Sequence, residues 1–230
     1  NRATRFSSFF LNSDKIYQAN IKFGSKTDTD DALGKIIDSS DQIPTESEID
    51  SALKSFIGIS KQEAPFFSAL KHKGQPLYKY AREGKYISKP PREINIFSIK
   101  NVKHTFMECS FRIHCSKGTY IRSIARDLGD NLGCGAHLCG LKRISQGVFN
   151  IEDSKSDEEI DLNFLVTIEE AFLTYKKIQL DEMNTKAFLN GVKITLEDFN
   201  DNYYRIYDHS LTFLGLGLIR ESSLALTRLV

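Results

Sequence analysis

The chain has 230 residues, of which 40% are apolar and 27% charged, and its formal net charge at pH 7 is +1. This composition is ordinary for a globular protein that buries a core, and it argues against intrinsic disorder. No apolar run reaches the length that crosses a bilayer, and residues 1–15, which carry charges throughout, do not match a secretion signal.

Residues 14–23 form the first recognisable element, because apolar side chains recur there at every second position and predict a strand. The apolar face of this strand consists of Tyr17, Ala19, Ile21 and Phe23. The polar loop GSKTDTDDALGK follows, and its aspartates raise the question of calcium. An EF-hand would need an acid or Asn in place of Ala32 and a glycine in place of Leu33, so we reject a calcium site.

Thr45 and Glu48 form a capping-box pattern ahead of apolar residues at helical spacing, which predicts a short helix that stops at Gly58. Residues 65–84 then mix basic, aromatic and turn residues, and the Pro90-Pro91 pair marks a break. We therefore expect a long excursion between two strands of the sheet.

The stretch from Lys71 to Arg92 is strongly basic, with Glu83 as its one acid and three tyrosines interleaved. Its cations are Lys71, Lys73, Lys79, Arg82, Lys85, Lys89 and Arg92. Such a segment can hold a phosphate backbone and stack bases. A solvated surface loop has the same composition, and charge alone does not decide between these two interpretations.

Met107 to Cys115 is the clearest strand, since apolar and polar residues alternate along its whole length. The turn Ser116-Lys117-Gly118 leads into an amphipathic helix, which Gly133 is expected to end. The apolar stripe of this helix consists of Ile121, Ile124, Ala125, Leu128 and Leu132.

Tyr120 and Arg122 fall in the first turn of that helix, where backbone N–H groups and the helix dipole favour an anion. Arg122 could clamp a carboxylate or a phosphate there. Alternatively, Arg122 and Arg126 are surface residues that pair with solvent or with neighbours such as Asp127. The spacing leaves both interpretations open.

The remainder of the chain suggests a connection followed by a small domain. The acidic stretch 152–161 is expected to be a solvated linker, and residues 168–175 favour a short helical segment. From Ile178 onward, short apolar runs with glycines, as in YYRIYDHSLTFLGLGLI, predict a β-rich domain.

Five blocks carry a resemblance to one known family. They are DKIYQA, GSKTDTDDALGK, EAPFFSALKHKGQPLYKYAREG, KGTYIRSIARDLG and LGCGAHLCGLKR. These blocks and their spacing closely resemble the TruB family of pseudouridine synthases. The tail, with FLNGVKI and FLGLGLI, resembles a short version of the family's PUA-like C-terminal domain.

The resemblance implies an α+β fold, in which a mixed and mostly antiparallel sheet is flanked by helices. It implies a catalytic domain at residues 1–175, which includes an RNA-binding insertion at residues 63–98, and a small PUA-like domain at residues 176–230.

Site residues follow from the same resemblance where the residues match. Tyr17 is similar to the family's active-site tyrosine, which stacks on the target base and is a candidate for proton abstraction, although a core-facing aromatic would give the same strand pattern. Arg122 matches the arginine that pairs with the catalytic aspartate. Tyr120 and Leu141 match residues that pack around the flipped nucleotide. The RNA-binding residues of the insertion are expected to be Lys71, Lys73, Lys79 and Arg82.

One departure from the family's pattern concerns the nucleophile. The family's catalytic aspartate lies in a GxLDPxAxG motif, and residues 1–230 contain no such motif. The segment NRATRF resembles the sequence that follows shortly after the motif. We therefore expect an N-terminally truncated chain that is inactive as given, with its nucleophile in a segment absent from it.

The implied reaction of the intact enzyme converts the T-loop uridine of tRNA to pseudouridine without a cofactor. An alternative is a non-catalytic protein that binds or folds RNA on the same scaffold. The expected partner is the T-arm stem-loop of tRNA, with no obligate protein partner and no membrane.

The four cysteines do not indicate a disulfide scaffold, so a reduced, cytoplasmic protein is expected. Cys134, His137 and Cys139 have a C-x2-H-x-C spacing that could suggest zinc. Without a second CxxC this pattern is weak, and the resemblance implies no metal.

Overall fold

Two compact units make up the chain in the computed structural model, which describes residues 2–156, 158, 161 and 164–230. The larger unit is Asn12–Ser154, and the smaller unit combines residues up to Leu11 with those from Lys155 to Val230. Within the described residues, no helix combines the length and apolar character that crossing a membrane requires.

The secondary structure begins in the smaller unit, where a 3-10 turn at Ala3–Phe6 leads into α1 (Ser7–Leu11). The elements of the larger unit are β1 (Lys15–Phe23), β2 (Ser25–Thr27), β3 (Ile36–Ser39), α2 (Glu46–Ser55), β4 (Gly58–Gln62), β5 (Lys71–His72), β6 (Gln75–Pro76), α3 (Leu77–Arg82), β7 (Arg92–His104), β8 (Glu108–Cys115), α4 (Ile121–Asn131), β9 (Ala136–Gln146) and β10 (Phe149–Asn150). The smaller unit continues with β11 (Lys177–Gln179), α5 (Glu182–Leu189), β12 (Ile194–Thr195), β13 (Asn202–Tyr207), β14 (Phe213–Arg220) and β15 (Ser223–Leu229).

The main sheet of the larger unit has six strands in the order β10-β9-β1-β8-β7-β4, and every neighbouring pair is antiparallel. β1 lies inside the sheet, where Tyr17 is opposite Ile113 of β8 and Arg143 of β9. The strands predicted at residues 14–23 and 107–115 are thus confirmed to within a residue at their ends. The expected mixed, mostly antiparallel α+β architecture is also confirmed.

Alternation along β1 and β8 gives the main sheet a buried face and an outer face. Ala19, Ile21, Phe111 and Ile113 on the buried face are all 0% exposed. Each of the three larger side chains, Ile21, Phe111 and Ile113, stabilises the fold by about 1.5–3 kcal/mol when it is fully buried. α4 packs against this face with its apolar stripe, so the same contacts that form the core also fix the position of the helix.

α4 approaches the sheet closely because Gly129 lies where it meets β9. A Cβ atom at Gly129 would collide with the backbone nitrogen of Ala136. The helix stops at Asn131, and Gly133 follows in the left-handed conformation with φ of +70°. The predicted helix and its glycine stop are therefore confirmed.

The predicted capping box is also confirmed. Thr45 Oγ1 accepts a hydrogen bond from the Glu48 amide, and the Glu48 carboxylate accepts one from the Thr45 amide. α2 begins directly after this cap and buries Ile49 and Leu53 against the main core. It ends at Ser55, three residues before Gly58.

The segment between β4 and β7 leaves the main sheet, as the sequence predicted. It contains the β5–β6 hairpin and the short helix α3. Leu77 and Ala81 of α3 are buried, while its basic residues Lys79 and Arg82 are exposed.

The smaller unit is built on a five-stranded sheet in the order β11-β13-β14-β15-β12, in which only the β11–β13 pair is parallel among the described pairs. The predicted β-rich domain is thus confirmed. The sequence did not predict α5, which Asp181 caps by accepting a hydrogen bond from the Asn184 amide.

A cluster of aromatic side chains joins the first residues of the chain to this unit. Phe6 and Phe172 are buried together with Leu216. The ring centroids of Phe6 and Phe172 lie 5.7 Å apart. The predicted boundary between residues 175 and 176 therefore falls within the smaller compact unit. The helical segment predicted at residues 168–175 is wrong in length, since only a 3-10 turn at Glu170–Phe172 forms. The predicted linker at 152–161 lies partly outside the described residues.

Candidate active site

A cleft of about 330 Å³ opens where three parts of the larger unit meet. They are the loop between β2 and β3, the first turn of α4 and the first half of β9. The lining residues are Asp31, Ala32, Leu33, Arg122, Leu138, Cys139, Gly140 and Leu141. The cleft therefore contains two of the residues that the sequence marked as candidates, Arg122 and Leu141.

Arg122 is anchored by three hydrogen bonds rather than extended into solvent. Its Nη1 donates to Asp31 Oδ2 at 3.1 Å and to the Thr29 carbonyl at 3.2 Å, and its Nη2 donates to the Phe67 carbonyl at 2.8 Å. Only 24% of the side chain is exposed. The interpretation of Arg122 as a surface arginine is thus wrong, and its guanidinium links the β2–β3 loop to the segment after β4.

Asp31, the carboxylate partner of Arg122, is itself held in place. Its Oδ1 accepts hydrogen bonds from Thr29 Oγ1 at 2.8 Å and from the Leu33 amide at 3.0 Å, while Oδ2 faces the guanidinium. Charge-assisted bonds of this kind are roughly twice as strong as neutral ones. The cleft thus has a fixed carboxylate–guanidinium pair on its wall.

A second arginine, one turn further along α4, binds the neighbouring aspartate of the same loop. Arg126 Nη1 lies 3.2 Å from Asp30 Oδ2, and Arg126 Nη2 lies 2.8 Å from Asp127 Oδ1. Residues four apart lie on the same face of a helix. Consecutive aspartates of the loop are therefore held by consecutive turns of α4.

Asp30 occupies an unusual environment. Burial raises the pKa of its carboxyl group to about 6, and the nearby Arg126 and Arg122 counteract part of this effect. Its backbone has φ of +60°, in the left-handed region that a non-glycine residue seldom adopts. Its carbonyl accepts a hydrogen bond from the Leu138 amide, which ties the loop to β9.

Beyond the loop lies a second cavity of about 450 Å³. Its walls include Asp30 and Arg126 as well as the exposed rings of Phe66 and Tyr86, whose centroids are 5.3 Å apart. The 28–31 loop therefore separates two concave surfaces, and Asp30 and Asp31 belong to different ones.

Tyr17 lies on the buried face of β1 and is only 8% exposed. The Arg143 guanidinium lies 5.5 Å from the centroid of its ring. Two residues along β1, Ala19 is opposite Leu141, whose side chain is 49% exposed and lines the cleft. Tyr17 and Leu141 therefore share one face of the sheet, although Tyr17 is not among the residues that line the cleft.

Tyr120 is the residue that precedes α4, and its backbone is fixed by a reciprocal pair of hydrogen bonds. Its amide donates to Gln62 Oε1 at 2.8 Å, and Gln62 Nε2 donates to its carbonyl at 3.1 Å. Gln62 is buried at the end of β4. This contact fixes the start of α4, and with it Arg122, to the strand from which the insertion departs.

The predicted RNA-binding cations lie on the insertion, and none of them lines the cleft. Lys71 and Lys73 belong to the β5–β6 hairpin, where Lys73 has φ of +46°. Lys79 and Arg82 belong to α3, and the Arg82 guanidinium lies 5.4 Å from the Tyr78 ring. All four residues are exposed and thus available to an anionic ligand.

Asp30 and Asp31 had no role predicted from the sequence, whereas the pairing of Arg126 with Asp127 that the sequence offered as one interpretation is present. The available signal was the TDTDD string combined with two arginines four residues apart in α4. The sequence does not show that these arginines contact these aspartates, because the two segments are more than ninety residues apart in the chain.

Two family models match the chain. One is described as TruB family pseudouridylate synthase (N terminal domain) and matches residues 1–121. The other is described as Pseudouridine synthase II TruB, C-terminal, and matches residues 177–230. The second match begins one residue after the predicted start of the C-terminal domain.

Curated relatives match nearly the whole chain. The tRNA pseudouridine synthase B of Actinobacillus pleuropneumoniae is 38% identical over 232 residues, which cover 94% of this chain and 75% of the relative. The tRNA pseudouridine synthase B of Clostridium kluyveri is 36% identical over 237 residues, which cover 99% of this chain and 82% of the relative.

Solved structures share the fold. A chain of a Cbf5-Nop10-Gar1 complex superimposes with a TM-score of 0.67 at 18% identity, covering all of this chain and 69% of that chain. A chain from an H/ACA RNP bound to a substrate RNA containing 2'-deoxyuridine gives the same TM-score at 17% identity and the same coverage. The expected fold class is confirmed by these neighbours.

Proposed function

The chain belongs to the TruB family of pseudouridylate synthases, and on this basis we propose that the intact enzyme converts a uridine in the T arm of tRNA to pseudouridine. The observation that carries the proposal is the Arg122–Asp31 pair on the wall of the cleft. This pair lies in two of the blocks that resemble the family, GSKTDTDDALGK and KGTYIRSIARDLG.

The reaction is an isomerisation, so atoms and electrons balance without a cofactor. The bond between N1 of uracil and C1' of the ribose breaks, the base rotates, and a bond forms between C5 and C1'. The proton on C5 is released, and N1 gains a proton. A carboxylate suffices as nucleophile or base at the ribose.

We propose that Asp31 is not this carboxylate. Its two oxygens already accept hydrogen bonds from Thr29, Leu33 and Arg122. The reactive aspartate is instead expected in a GxLDPxAxG segment, a motif that residues 1–230 do not contain. On this proposal, the 230 residues alone bind RNA weakly and form no pseudouridine.

Arg122 is then the residue that holds the reactive carboxylate. A guanidinium has five N–H donors in a rigid plane, and the three bonds to the β2–β3 loop and to Phe67 fix that plane at the cleft. A cation within a few ångströms of a carboxyl group favours its ionised form. Arg122 would therefore both orient the nucleophile and keep it charged.

The remaining candidates would bind the RNA. Leu141 and Tyr120 are proposed to pack around the extruded nucleotide, and Tyr17 to contact its base from the shared face of β1. Extruding a base costs a few kcal/mol, which stacking and pocket contacts must offset. The exposed cations of the insertion, namely Lys71, Lys73, Lys79 and Arg82, are proposed to contact the phosphates of the T-arm stem. We also propose a cytoplasmic location, because the four cysteines are free thiols.

The test uses a T-arm stem-loop that carries tritium at C5 of uridine, since pseudouridine formation releases that tritium. The intact protein is expected to release it, and the 230 residues alone to release none while retaining weak binding. Turnover by the 230 residues alone would refute the proposed position of the nucleophile. Binding without turnover by the intact protein would instead favour a non-catalytic RNA-binding function.

A further inference from the structure

The outer face of the main sheet carries a row of cations that crosses four neighbouring strands. On this face Gln18 of β1 is opposite Lys142 of β9 on one side and Arg112 of β8 on the other. Arg112 is in turn opposite Lys100 of β7. Strands are spaced about 4.8 Å apart, so the row from Lys142 to Lys100 spans about 14 Å.

Within the part of the chain that the structure describes, no carboxylate forms an ion pair with this row. Lys100, Arg112 and Lys142 are all exposed. Residues 12–154, which include the whole face, are described, and none of their ion pairs involves one of these three side chains. Like charges at directly opposite positions of a sheet are destabilising. The Arg112–Lys100 pair therefore has a cost that an anionic ligand would remove.

The rest of the face is also basic. Register places two more cations there, Lys22 opposite Glu108, and Lys103 opposite Ser110. Two carboxylates lie near these five cations: Glu108, which the register places opposite Lys22, and Asp14, whose Oδ2 lies 3.6 Å from His114 Nε2. The face therefore presents a strong positive surplus over a chain whose total formal charge is only +1.

An aromatic pair lies directly beside the cationic row. His114 follows Arg112 by two residues on the same face of β8, and its ring centroid is 4.7 Å from that of Phe97. Phe97 is 42% exposed, although it lies in the interior of β7. It occupies the irregular position in the β7–β8 register between Ile96 and Ser98, and its ring lies against His114.

We propose that this outer face binds a segment of single-stranded RNA, with phosphates along the row of Lys100, Arg112 and Lys142 and a base stacked on Phe97. Cations that track a backbone next to an exposed ring are the combination that binds single strands without sequence preference. This inference rests on the proposed function only in that the protein acts on RNA. The surface it concerns is separate from the cleft.

An RNA strand fits this surface better than an acidic protein does. The span of about 14 Å lies within the smallest footprints of single-strand binding sites, which cover about four nucleotides. An acidic peptide would use the cations equally well, but it would leave the exposed ring of Phe97 without a stacking partner.

The test compares two triple variants of the intact protein. In K100Q/R112Q/K142Q the row loses its charges, and in the matched control K54Q/K177Q/K193Q three exposed lysines elsewhere lose theirs. Affinity for a labelled oligoadenylate of about twelve nucleotides is measured by fluorescence anisotropy over a range of salt concentrations. Because all six side chains are exposed, both variants are expected to fold, and circular dichroism checks this.

Each phosphate contact contributes about 0.7 to the slope of log affinity against log salt for single strands. Loss of three contacts should therefore lower the slope by about 2 and weaken binding about 100-fold at about 0.1 M salt. The control should leave the slope unchanged. Phe97→Leu, which keeps the apolar volume and removes the stacking surface, should weaken binding about tenfold with no change of slope.

Equal slopes for the row variant and the control would overturn the proposal. Tighter binding of polyglutamate than of oligoadenylate to the cationic face would also overturn it. Tritium release from the T-arm substrate is measured on the same samples. Turnover that survives while the row variant binds oligoadenylate normally would refute this surface and leave the proposed function intact. If the natural protein shows no turnover while the row variant loses oligoadenylate binding as predicted, the proposed function is refuted and this surface is supported.

Discussion

Replacing Asp30 by Asn should change how the stability of the protein depends on pH. Burial raises the pKa of Asp30 from its ordinary value of 3.8 to about 6, so the folded state holds this proton more tightly than the unfolded state. Such a group lowers stability as pH rises from about 4 to about 6, because the unfolded chain ionises first. A shift of about two units corresponds to about 3 kcal/mol. The Asp30 side chain is only 16% exposed, so solvent screens little of this effect.

The assay is urea unfolding at a series of pH values between about 4 and 8. Asp30→Asn carries no charge at any pH, so the difference between its free energy of unfolding and that of the natural protein isolates the titration of Asp30. We expect this difference to shift in favour of the variant by about 2–2.5 kcal/mol between pH 4 and pH 7, since part of the shift already occurs below pH 4. Asp41→Asn, at an exposed position, is the control and should show no comparable trend.

A difference that stays constant with pH would refute this reasoning. A difference that moves against the variant as pH rises would show that attraction to Arg126 outweighs the cost of burying the carboxylate. Buried ion pairs often cost stability relative to a neutral replacement. If the variant gains stability relative to the natural protein as pH rises, the Asp30–Arg126 pair positions the 28–31 loop but lowers the free energy of unfolding.

Three further variants test other parts of the structure. Arg122→Ala in the intact enzyme should lower turnover by about 100-fold or more while changing RNA affinity only slightly, because the guanidinium acts on the reacting carboxylate; equal losses of both would indicate a phosphate contact instead. Gly129→Ala should destabilise the larger unit by about 1–3 kcal/mol in urea unfolding, since its methyl group would collide with Ala136, and an unchanged midpoint would show that α4 can move away. Thr45→Ala should cost about 1 kcal/mol through loss of the cap of α2, and a neutral result would mean that packing alone holds this helix.

The elements that the sequence predicted well are those with a local periodic signal. β1, β8 and α4 show the two-residue or 3.6-residue pattern over their whole length, and the structure places them to within a residue or two. α5 was missed because it is only eight residues long and buries a single side chain, Phe188, and its start depends on the cap at Asp181. A single polar cap is a weaker signal than a long apolar stripe.

The site was predicted only in part, because its geometry depends on contacts between distant segments. The position of Arg122 in the first turn of α4 follows from local spacing. Its partner Asp31 lies ninety-one residues away and reaches it only because the 28–31 loop is bonded to β9. The packing of Phe6 against Phe172 in one core is likewise a contact between distant segments, and the composition of the chain does not predict it.

The proposed activity and the role of Arg122 are tested together by mapping pseudouridine in a tRNA transcript after incubation with the intact enzyme, by carbodiimide modification and primer extension. We expect one modified position, in the T loop, and loss of that modification in Arg122→Ala although the transcript remains bound. A transcript with no pseudouridine, or equal modification by the natural enzyme and the Arg122→Ala variant, would contradict this expectation.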